Sequence, residues 1–155
     1  MTVTSINTNT FLSDFIIFLR DDLRDNITDP IVSFRPSNER FVLTAYPQRA
    51  VTYPIITVKD VNSEGLSRLG MQSELHSMRL SLEIRIWARN IKEKDELTQQ
   101  VINRLRSTQF SGAAPKSTAN IHDFNVLSAV NIDEPGDGGV KSKVIEVEYF
   151  YILGA

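Results

Sequence analysis

The segment from His76 to Arg106 constrains this chain most, because a long run of strict alternation passes with almost no loop into an amphipathic helix. Read as a strand, it puts His76, Met78, Leu80, Leu82, Ile84, Ile86 and Ala88 on one face. Ser77, Arg79, Ser81, Glu83, Arg85, Trp87 and Arg89 fall on the other, the period-two pattern of a half-buried sheet. His76 to Ala88 would extend roughly 40 Å at about 3.3 Å per residue, well beyond an ordinary strand. A domain of this length is only about that wide, so the strand either crosses the molecule or projects from it. A projecting ribbon exposes backbone donors and acceptors that call for a neighbouring chain. Beyond it, Asn90 caps the helix, Glu93 completes a variant of the capping box, and Leu97, Val101, Ile102 and Leu105 form the buried stripe. Asp95 and Glu96 near the start, with Arg104 and Arg106 near the end, complement the helix dipole.

Upstream, Thr10 caps a first helix whose Phe11, Leu12, Phe15, Ile16, Phe18, Leu19 and Leu23 share one broad stripe. Asn26 to Pro30 ends it, since a residue before proline is pushed away from helical angles, and Ile31 to Phe34 reads as a short edge strand. Arg40–Tyr46 and Tyr53–Val61 read as two irregular strands, with Pro47 and Pro54 confining them to strand starts or sheet edges. Ile121–Val130 and Val140–Ile152 alternate again around a turn-like, glycine-rich connection, which predicts a terminal hairpin. The order lacks any βαβ alternation and any internal repeat. It predicts an α+β fold: one domain over 1–155, mainly antiparallel, with two amphipathic helices on one face of the sheet and a C-terminal β-hairpin. Residues 1–9 are expected to be flexible, and 62–73 and 109–120 to be loops or arms.

The 62–73 arm carries Leu66, Leu69 and Met71 where a solvated loop is normally polar, and Arg68 among them is a further interface candidate. Either these residues face a partner or they fold back as a helical turn onto their own core. Arg79, Arg85 and Trp87, on the polar face of the long strand, are the other interface candidates. The indole can stack with guanidinium groups or anchor a subunit contact, but the simpler expectation is that the second helix covers it.

Chemistry is sparse. With 155 residues, 41% of them hydrophobic, the chain can build one core, and a net charge of -2 argues against a protein that holds nucleic acid by neutralising phosphates. The absence of cysteine removes disulfides, thiolate metal sites and thiol nucleophiles together. No apolar run is long enough for a membrane helix, and Met1–Thr10 lacks the pattern of a signal peptide, so a soluble protein made in the cytoplasm is expected. His76 and His122 fall on separate strands without a second ligand at metal spacing, so no metal and no cofactor is expected. His122-Asp123 could form the base and orienter of a small hydrolase, yet no serine stands in a nucleophile elbow. Asp133, Glu134 and Asp137 lack the ligand order of a calcium loop, and Gly136 and Gly138-Gly139 lack a dinucleotide setting. Catalytic residues are therefore not expected.

Taken together, the N-terminal helix, Tyr53-Pro54-Ile55-Ile56-Thr57-Val58, the strand Leu80–Ala88, the helix with Glu93-Lys94-Asp95-Glu96-Leu97 and the C-terminal hairpin resemble the tail terminator proteins of long-tailed phages, also called tail-completion or tail-to-head joining proteins. The resemblance spans Phe11 to Ile152 and rests on element order and texture. It implies a structural virion protein, a homohexameric ring at the tail–head junction that caps the tail tube, ends its polymerisation and meets a head-completion or neck protein. DNA would pass through the lumen without specific binding, and no membrane is implied. A head-completion protein or a tube subunit would share the same texture.

Overall fold

The computed structural model describes residues 11–68, 76–110, 121–132 and 139–153. Its centre is the alternating segment: strand β3 spans His76–Ala88, with Leu80, Leu82, Ile84, Ile86 and Ala88 all buried on one side. Before it come helix α1 (Phe11–Asn26), the two-residue strand β1 (Val42–Leu43) and β2 (Ile55–Arg68). After it come helix α2 (Ile91–Phe110) and the strands β4 (Ile121–Ile132) and β5 (Lys141–Leu153). They form one five-stranded sheet in the order β1-β2-β3-β5-β4, antiparallel throughout except for the β1–β2 pair. The chain is thus an α+β domain with a mainly antiparallel sheet and a C-terminal β4–β5 hairpin.

The long strand crosses the molecule with a partner on each side. Its register with β2 runs from Ile55↔Trp87 to Arg68↔His76, and with β5 from Ala88↔Lys141 to His76↔Leu153. Residues 62–68 are therefore sheet and not a connecting arm. Two register shifts, between Asp60 and Asn62 and between Gly65 and Ser67, break the period of β2 and hide the strand from a period-two reading. Leu66 and Arg68 consequently belong to β2, whereas Leu69 and Met71 lie outside the described residues.

Both helices cover the same face. Phe15, Leu19 and Leu23 of α1 and Leu97, Val101 and Leu105 of α2 join Val58, Leu82, Ile84, Ile86, Ile145, Val147 and Tyr149 in one buried cluster. The i, i+4 spacing of the first three stacks them along one stripe, and the Phe15 ring meets Tyr149 at 4.5 Å between centroids. Asp22 of α1 accepts two hydrogen bonds from Arg104 of α2, at 2.6 and 2.8 Å, which fixes the helices against each other. Asn90 Oδ1 accepts from the Glu93 N–H at 2.9 Å while Glu93 accepts from the Arg89 N–H at 3.1 Å, so the α2 cap forms as its residues predict. No breaker precedes Gly112, and α2 continues through Phe110, so Gln109 and Phe110 are helical, and the rest of the expected 109–120 loop lies outside the described residues.

Ile31–Phe34 is a turn and not an edge strand. Asp29 Oδ1 accepts the Ile31 N–H at 3.0 Å, and the N–H groups of Phe34 and Arg35 both return to the Ile31 carbonyl at 2.8 Å. An Asp-Pro step supplies this local alternative to a ladder. In the expected strand Arg40–Tyr46 only Val42 and Leu43 pair, and the Val42 carbonyl accepts from Arg24 Nε and a terminal nitrogen, at 2.9 and 2.6 Å.

Candidate functional site

Because even-numbered residues of β3 face the helices, Glu83, Arg85 and Trp87 face away from them, on the open side of the sheet. Trp87 is not covered by α2, as the sequence suggested. The segment after β1 folds over it instead: the Tyr46 ring lies 4.9 Å away at 57°, the Arg85 guanidinium sits 4.2 Å from the ring centroid on Trp87, and the indole Nε1 donates to Thr57 Oγ1 at 3.3 Å. The guanidinium–indole stack, one of the alternatives the sequence left open, is present. Arg85 also donates to Ser142 Oγ at 3.4 Å, and that hydroxyl donates to the Ile132 carbonyl at 3.0 Å. Its Nε is buried and has no hydrogen-bond partner among the described residues. Tyr46 and Tyr53 share a hydrogen bond through their hydroxyls, and burial followed by that bond pushes the Tyr53 phenol up to about 12.

Tyr46, Thr57, Arg85 and Trp87 line an open groove of about 400 Å³ together with Thr44, Lys59 and Glu83. Next to it the sheet turns acidic. Glu83 stands directly opposite Glu146, and Glu148 follows two positions along the same face of β5. Ser128 of β4 donates to Glu146 Oε2 at 3.3 Å. Like charges facing each other across a ladder destabilise it slightly, so this face is not arranged for stability alone.

The sheet's margins are the second feature. β1 pairs with β2 only at Ile56 and Thr57, and no described strand pairs with the outer side of β2 from Val58 to Arg68. Likewise, no described strand pairs with the outer side of β4 along its 12 residues. β4 carries two register shifts of its own, between His122 and Asn125 and between Val126 and Ser128. Leu127, Val130 and Ile132 on β4 and Val61 on β2 are exposed large apolar residues.

The interface candidates from the sequence thus fall into separate places. Arg85 and Trp87 meet in the groove. Arg79 shares their face of β3 but lies six residues away, roughly 20 Å along the strand. Leu66 and Arg68 sit at the far end of β2, opposite the β3 segment that begins with His76. Tyr46 and the whole Arg35 network were not foreseen. Arg35 is paired with Asp29 at 2.5 Å, donates to the Thr52 and Pro54 carbonyls at 2.8 and 2.5 Å, and lies 5.4 Å from the Phe41 ring centroid. It clamps the 29–36 turn to the start of β2, a contact for which local sequence carries no signal.

His76 opens β3 and His122 lies in β4 opposite Phe150. The described residues contain no group of three His, Asp or Glu side chains placed to hold a metal ion, and no described helix is long and apolar enough to cross a membrane. The acidic run Asp133, Glu134 and Asp137 lies outside the described residues. No family model matches the chain, and no curated protein matches it.

Proposed function

We propose that this protein is a structural component of a phage-like tail, a tail terminator whose copies close into a ring at the tail–head junction. The observation that carries the reading is the pair of long sheet margins with no described strand on their outer sides, different in sequence and located on opposite sides of the subunit. Two unlike surfaces per subunit are what a head-to-tail ring requires, since a closed cycle uses each once and leaves none bare. The element order supports it as well: helix, strands, helix and hairpin follow the layout of the resemblance noted above. The carboxylates of Glu83, Glu146 and Glu148 supply a surface that repels phosphates, which suits a passage through which DNA slides. In this reading the ring meets the tube protein on one side and a head-completion or neck protein on the other, within the virion.

Images of the purified protein by negative-stain electron microscopy test the ring, and tails assembled without it test the role. Closed rings together with tails of uncontrolled length are the expected result. A strict monomer whose loss leaves tail length unchanged would overturn the reading. The same two margins also suit a head-completion protein or a tube subunit, and labelling in the intact particle separates them by position: junction for a terminator, full tail length for a tube subunit.

A further inference from the structure

We infer that the outer edge of β4 in one copy pairs with the outer edge of β2 in the next, so that the sheet runs on unbroken through successive copies. The inference takes its second copy from the collar reading and adds the contact that would build it.

Exposed edges are normally guarded, since a row of free N–H and C=O groups pairs with any extended chain. Lysine, proline, charge and bulges are the usual guards. β4 lacks the first three over most of its length: Phe124 to Ile132 contains no charged residue and no proline. It does have bulges, and so does β2, but they are filled with the wrong residues for a guard. The residue skipped by the register between Asp60 and Asn62 is Val61, 57% exposed, and the one skipped between Val126 and Ser128 is Leu127, 55% exposed. The other two shifts fall at Leu66 and at Asp123-Phe124. Two of the four register shifts on the two margins thus place an exposed large apolar residue at a bulge, and a bulge that presents a greasy side chain invites contact.

Geometry selects which edge meets which. β2, β3, β5 and β4 alternate in direction, so β4 runs opposite to β2. A neighbour generated by rotation about an axis along the strands therefore brings its β2 antiparallel to β4, and the repeat of four alternating strands keeps each junction antiparallel. The two stretches whose outer side meets no described strand match in length, Val58–Arg68 against Ile121–Ile132. β1 leaves the way clear, because its pairing stops at Thr57. A two-fold contact between two β4 edges would leave both β2 edges and both Val61 side chains bare.

The cysteine-free sequence makes the test direct. Val61→Cys and Leu127→Cys are prepared singly and together, and Val61→Cys is also combined with Val130→Cys to sample a second register. After mild oxidation, a double variant is expected to give a ladder of linked dimers, trimers and higher species on a denaturing gel, while the single variants remain monomers. A dimer from Leu127→Cys alone would overturn the inference in favour of β4–β4 pairing. Oligomers seen by light scattering with no cross-link in either double variant would overturn it too, while leaving the collar reading in place. A ladder from a protein that leaves tail length unchanged would uphold the edge pairing and remove the collar's role. Leu127→Lys, which installs the missing guard, is expected to yield a folded monomer. If its oligomer persists undiminished, the edge is not the contact.

Discussion

Arg35 is the residue on which the irregular part of this fold depends. Its side chain is 6% exposed and its partner Asp29 12% exposed, and it gathers a carboxylate and two backbone carbonyls from two stretches of chain. Removing one member of a buried pair strands the other, so Arg35→Ala is expected to cost about 3 kcal/mol, read as a lower denaturant midpoint with an unchanged slope. Tyr46 has the converse character, a ring that shields the chain's single tryptophan without joining the core. Tyr46→Ala should shift Trp87 emission to the red with little loss of stability, and a fixed emission maximum would mean the ring is not in place in solution. Trp87 and Arg85 were identifiable as neighbours from strand parity, since i and i+2 share a face. Tyr46 was not, because a residue 41 positions away leaves no periodic trace. Arg35 was hidden for a related reason: a guanidinium that bonds to backbone carbonyls depends on where the chain passes and not on which side chains it carries.

At the scale of elements, alternation located β3 to the residue and the helical stripes located both helices, because one buried face imposes one period. The same rule explains the failures. In β2 the two bulges switch parity, so Asn62 to Arg68 resembled a loop while its backbone stays in the ladder. At Ile31–Phe34 apolar composition suggested a strand, and the Asp29 side chain closed a turn first. The α2 cap shows how local chemistry sets an end point. Burial disfavours the Glu93 carboxylate, but hydrogen bonds from the Arg89 side chain and backbone outweigh it and hold the carboxyl below its usual range. A lowered folded value means that the ion contributes stability at pH above its unfolded value, about 4.3, and loses it as pH falls through the lowered one. Glu93→Gln should therefore destabilise the protein by about 1 kcal/mol at neutral pH, typical of a lost cap, with the gap between the two proteins closing in acid. A gap that stays constant down to the acid transition would mean the cap does not depend on the charge.

For the molecule as a whole, the covered face of the sheet could be read from sequence and the open face could not. Two helical stripes and one alternating strand state that something is buried, and they fix which residues bury it. They say nothing of strand order, and the two margins exist only because β3 and β5 occupy the middle. That order has a consequence for how the protein is made. β3 meets β2 soon after both are translated, but its other neighbour, β5, is synthesised only after α2 and β4. Among the described strands, β4 in turn lies against β5 alone. A nascent chain thus cannot present its β4 margin in place until β5 has been made, so the two margins become available in order, β2 before β4.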